Sequence, residues 1–123
     1  MNRHWLMLAA IGGGSGVALG AFAAHGLRAS MSSAYLDVFQ TGVHYQLAHS
    51  LALLALSGYS EQLGKLGKWA GWAFVSGVLL FSGSLYLLTV LAIPKLGMIT
   101  PLGGLAFLFG WICLFMAAWR KAE

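Results

Sequence analysis

The sequence predicts an all-α integral membrane protein, a four-helix bundle with a short interfacial helix between its first and second spans. Three observations predict it. Charge is scarce, with seven Lys and Arg and three Asp and Glu among 123 residues, whereas a soluble domain carries about 25% charged residues. The charges leave four uncharged stretches, 4–27, 38–60, 69–94 and 96–119. Each is long enough to cross a bilayer, whose hydrocarbon core of ~30 Å takes about 20 helical residues at ~1.5 Å each.

The first span is expected at about 5–24, ending near His25 with Gly26 as a C-terminal cap. Arg3, the apolar run and Ala21-Phe22-Ala23 imitate a secretory leader. The run is too long and too rich in glycine for one. Ser30, Ser32 and Ser33 then offer N-caps for the interfacial helix, whose apolar side is Tyr35, Leu36, Val38 and Phe39. Gly42 would bend this helix into the second span at about 43–59. Residues 60–68, with two glycines and three charges, read as a loop. The third span is expected at about 69–93. Pro94-Lys95-Leu96-Gly97 makes a turn, and the fourth span, about 98–118, begins with Thr100-Pro101, where a missing N–H is tolerated. The whole chain, 1–123, is read as one transmembrane domain.

Four spans put Arg3, Lys65, Lys68, Arg120 and Lys121 on one side against Arg28 and Lys95 on the other. By the positive-inside rule both termini are cytoplasmic. Trp5, Trp69, Trp72 and Trp119 fall at the same interface, where tryptophan is enriched. The basic residues are dispersed, so no nucleic-acid face forms; the expected partner is the lipid bilayer, with a homo-oligomer or a membrane complex as the further option. Cys113 is a lone small residue inside the fourth stretch.

Gly12-Gly13-Gly14-Ser15-Gly16 fits neither the dinucleotide nor the phosphate-loop pattern. Gly12, Gly16, Gly20 and Ala24 instead recur every fourth residue and make a groove for close helix packing, against the third span at Ala73 and Gly77 or against a second protomer. On the second span Gly42, Tyr45, Gln46 and His49 share a helix face. His49 lies about 9 Å below Val43 by helical rise, so its imidazole needs a hydrogen-bond partner within the protein. Tyr86 reaches a similar depth on the third span and is the expected partner.

The candidate site is therefore a polar cluster in the outer leaflet: His25, Tyr45, Gln46, His49, Tyr86 and Thr100. It reads first as a hydrogen-bond network that sets helix register. A small-ligand pocket is the alternative, holding a quinone, a lipid headgroup or haem on His25 and His49. No cofactor or metal is predicted. Catalysis has little to carry it: the only acids, Asp37, Glu61 and Glu123, lie outside the spans, so no carboxylate pair or catalytic residue is assigned.

The runs Gly20-Ala21-Phe22-Ala23-Ala24-His25-Gly26-Leu27, Gln40-Thr41-Gly42 with Tyr45-Gln46 and His49, Phe81-Ser82-Gly83-Ser84-Leu85-Tyr86, and Thr100-Pro101-Leu102-Gly103-Gly104 with Gly110-Trp111 resemble the family called domain of unknown function 423. Its eukaryotic relative is transmembrane protein 256. The resemblance implies a bacterial inner-membrane protein of the same four-helix plan, with eukaryotic relatives expected in mitochondria. It implies no activity. Ala23 stands where the family often has glycine, a departure that bears on packing alone.

Overall fold

The computed structural model describes residues 2–122. They are helical almost throughout, and no strand forms among them. Helix α1, Arg3–Phe22, widens into a π-turn at Ala23–Leu27. Helix α2, Ser33–Gly77, runs through a second π-turn, Val78–Ser82, into α3, Gly83–Leu91. A 3-10 turn, Pro94–Met98, leads into α4, Thr100–Ala122.

Three continuous stretches, Arg3–Leu27, Ser33–Leu91 and Pro94–Arg120, are long and apolar enough to cross a membrane. The middle one has 59 residues and if straight would measure about 90 Å, roughly three times the hydrocarbon thickness. It is not straight. Gly64 sits at φ 61°, ψ −144°, a conformation essentially closed to residues with a Cβ. Residues on its two sides then pair in antiparallel order: Leu56 lies against Gly67 and Gly71, and Ser82 Oγ donates to the Gly42 carbonyl at 2.6 Å.

Three expectations are corrected here. The segment 33–42 is not a separate interfacial helix. Ser32 caps it by accepting from the Tyr35 N–H at 3.1 Å, and the helix continues unbroken past Gly42. Glycine is needed there for closeness, since a Cβ would stand 2.9 Å from the Tyr86 ring and 3.4 Å from the Ser82 carbonyl. The expected loop at 60–68 shrinks to Gly64 alone, because one glycine reverses the backbone while its neighbours keep their helical hydrogen bonds. Gly26 is no left-handed cap, since the chain stays right-handed through Arg28. The left-handed cap falls to Ala92, φ 55°, which closes α3.

The main core joins Trp5 and Ala9 of α1, Leu53, Leu56 and Phe74 of α2, and Phe107 and Cys113 of α4. A smaller one holds Ala23, Phe39 and Val43. The surface is apolar too: Leu51, Leu79 and Met98 are 65%, 69% and 79% exposed. A surface of this kind suits hydrocarbon and not water. At one end Asn2 caps α1, accepting from the His4 and Trp5 N–H groups, and its own N–H donates to the Ser57 carbonyl at 2.9 Å.

Candidate functional site

The site is built on the buried face of α2, and it divides into two clusters. Gln46 centres the first. Its Nε2 donates to the Gly12 carbonyl at 2.9 Å and to Ser15 Oγ at 2.8 Å, while its Oε1 accepts from Tyr86 OH at 2.6 Å. One amide thus ties α1, α2 and α3 together, with both donors in use. Glycine makes this reach possible. A Cβ on Gly16 would stand 2.7 Å from Leu47 Cδ2 and 3.4 Å from Gln46 Nε2, one on Gly20 would stand 3.2 Å from Val43 Cγ1, and one on Gly12 would run into Ser50 Oγ.

Gly12, Gly16 and Gly20 therefore lie against the arm of α2 before Gly64, at Val43, Gln46, Leu47 and Ser50, and not against Ala73 and Gly77. Ala24 follows them, half-buried. Gly77 serves a different neighbour, the Phe107 ring of α4.

His49 centres the second cluster. Trp111 Nε1 donates to His49 Nε2 at 3.0 Å. An indole can only donate, so Nε2 accepts and the ring proton sits on Nδ1, which donates to the Tyr45 carbonyl at 2.8 Å. The imidazole stacks on Phe107 at 3.7 Å between centroids and 10° between planes. Phe74, Tyr45 and Trp111 surround it further. Gly110 lets Phe74 in, as a Cβ would stand 2.6 Å from that ring.

Three expectations about the site are corrected. Tyr86 and His49 are not partners: Tyr86 binds Gln46, and His49 binds Trp111, a residue absent from the expected cluster. Equal depth fixes position along the helix axes and leaves direction open. Gln46 and His49 are three residues apart, so they differ by about 60° around α2, enough to face different helices. His25, for its part, is exposed on the π-turn and its side chain makes no hydrogen bond among the described residues. Thr100 stands apart from both clusters and shares a 2.6 Å hydrogen bond with Ser84. Tyr45 contributes a ring and a carbonyl; its ring packs on Phe81 at 4.4 Å.

Ser15, Ser50 and Trp111 were the functional side chains that sequence reasoning missed. Ser15 was hidden inside a glycine run, and Trp111 lacked a polar neighbour to draw attention to it. No buried polar side-chain atom among the described residues lacks a partner, and no group of three His, Cys, Asp or Glu among them could hold a metal.

Apolar helices, an apolar surface and uncharged hydrogen bonds between helices together define a helical integral membrane protein. The chain belongs to the family described as protein of unknown function DUF423, whose model matches residues 19–104. It is 45% identical over 118 residues to the UPF0382 membrane protein YwdK of Bacillus subtilis (strain 168), covering 94% of this chain and 96% of the relative. A UPF0382 membrane protein of Staphylococcus aureus (strain bovine RF122 / ET3-1) is 42% identical over 120 residues, covering 98% of each. Another, from Haemophilus influenzae (strain ATCC 51907 / DSM 11121 / KW20 / Rd), is 40% identical over 121 residues, again 98% of each. No solved structure matches the chain.

Proposed function

We propose that this is a four-span inner-membrane protein with cytoplasmic termini, acting as a non-catalytic structural or accessory subunit. The reversal at Gly64 supports the span count, because it divides the 59-residue stretch into two arms of membrane-spanning length. Charge placement supports the orientation. Lys65 and Arg120 line one pocket at the Gly64 end, and Lys68 lines another beside Asn2; the opposite end carries Arg28 and Lys95. The short turns leave the small-residue contacts of Gly12, Gly16 and Gly20 as glycine-based helix packing within one bundle.

The observation that carries the non-catalytic reading is the saturation of the two clusters. Both donors of Gln46 and both ring nitrogens of His49 are engaged by groups on the protein itself. Ser15, Gln46 and Tyr86 do line a crevice beside α1, but their donors are already engaged within the protein. A cluster that binds quinone, haem or a headgroup needs some of them free, and His25 stands away from them. Network members that set helix register have no such need.

Two measurements test the proposal. A reporter fused to the C-terminus is expected to be active in the cytoplasm; activity on the far side would overturn the orientation. Tyr86→Phe is expected to lower thermal stability in mild detergent by about 1 kcal/mol, the scale of one interhelical hydrogen bond in a membrane protein. Unchanged stability with loss of a co-purifying small molecule in native mass spectra would favour a binding module instead.

A further inference from the structure

Two grooves meet at Lys68. One, of about 450 Å³, runs along α1 past His4, Trp5, Leu8 and Ile11. The other, of about 400 Å³, runs between α2 and α4 past Trp69, Ser76, Ala106 and Phe109. Trp72 lines both and stands between them, its ring packed edge-on against Trp5 at 5.1 Å. Among the described residues, Lys68 is the one formally charged residue lining either groove. It is exposed and has no ion-pair partner among the described residues.

The α1 groove does not stop at Ile11. Leu8 and Ile11 also line a mostly apolar crevice of about 300 Å³ between α1 and the Val75, Leu79 and Gly83 wall, which Gln46 and Tyr86 line as well. At its Trp5 end α1 lies close against the arm after Gly64, where the Trp5 ring lies over Gly71. From Lys68 to Leu79 the path is about 16 Å by helical rise, close to the roughly 15 Å half-thickness of a bilayer's hydrocarbon core.

We propose that this surface seats one anionic phospholipid of the leaflet at the Gly64 end: phosphate on Lys68, one acyl chain in the α1 crevice and the other along the Trp69 groove. The occupant is argued from charge and shape together. A cation shared by both grooves calls for an anionic group, and basic pockets between membrane helices on the cytoplasmic side are where anionic headgroups collect. Two apolar grooves diverging from that cation match two chains on one headgroup, and the depth of the crevice matches one leaflet. The pocket holding Lys65 and Arg120 differs, as the Glu61 carboxylate lies in it beside the two cations. The inference rests on the four-span reading with cytoplasmic termini, whose orientation the reporter fusion tests independently.

The test is lipid binding to delipidated protein in detergent, read by native mass spectrometry with dioleoyl phosphatidylglycerol, dioleoyl phosphatidylcholine and dioctanoyl phosphatidylglycerol as probes. The wild type is expected to prefer phosphatidylglycerol over phosphatidylcholine, and Lys68→Gln to weaken phosphatidylglycerol about fivefold, the worth of one interfacial lysine. Gly83→Phe fills the far end of the crevice, where an added Cβ meets nothing within 4 Å. It is expected to weaken the dioleoyl lipid and spare the dioctanoyl one. Ile11→Trp, on the opposite wall and 65% exposed, gives the same readout if Gly83→Phe folds poorly. Equal binding of the two headgroups, or no effect of Lys68→Gln, would remove the phosphate assignment. Equal effects on both chain lengths would remove the crevice assignment.

Discussion

At the residue scale the protein solves a problem set by the bilayer: polar side chains among helices must find partners within the chain, because hydrocarbon offers none. His49 illustrates it. Trp111 satisfies one nitrogen, the Tyr45 carbonyl the other, and Phe107 covers the ring face. His49→Phe keeps the stacking but leaves the Trp111 N–H without an acceptor, so a loss of about 1 to 3 kcal/mol is expected in unfolding experiments. His49→Phe with Trp111→Phe removes both polar partners and is expected to recover part of that loss. Additive losses would mean the hydrogen bond contributes nothing. From the sequence His49 visibly needed a partner, but its identity depended on rotation about the α2 axis, which a list of depths does not contain.

At the element scale the glycines of α1 do different things at adjacent positions. Gly12, Gly16 and Gly20 let α2 approach, whereas Cβ atoms at Gly13 and Gly14 would meet nothing within 4 Å. Gly12→Ala drives a methyl into Ser50 and is expected to destabilise by about 1 to 3 kcal/mol. Gly13→Ala relieves the helix-interior cost of glycine and is expected to be neutral or stabilising by up to about 1 kcal/mol. Thermal unfolding of the pair in one detergent checks both, and a larger loss at Gly13 would contradict the packing described. The four-residue period was legible because helix geometry alone puts those residues on one face. Their neighbour was not legible, since α2 and the arm after Gly64 both carry small residues. Continuity of α2 was missed for a related reason: Gly42 looks the same whether it bends a helix or admits a ring.

At the scale of the whole molecule, a single residue reverses a 59-residue helical stretch. Gly64 has open space where a Cβ would go, so its requirement lies in the backbone alone. Gly64→Val is expected to cost about 1 to 3 kcal/mol as strain at φ 61°, with Gly64→Ala smaller but in the same direction. Equal stability of both variants with the wild type would show that the reversal tolerates a different backbone.

The sequence by itself determined the membrane character, the helical class and the approximate lengths of the apolar segments, because these follow from where charge is absent and from the fixed rise of a helix. It also determined that Gln46, His49 and Tyr86 would be polar groups inside the bundle in need of partners. Only the tertiary structure decided which groups those partners are. It joined Gln46 to Gly12, Ser15 and Tyr86, gave His49 to Trp111, left His25 outside and opened the crevice beside α1. The physical reason is that composition and period act within one helix, whereas a hydrogen bond or a groove between helices depends on how each is rotated and how closely it approaches. Those two quantities are set by all the side chains at the contact at once.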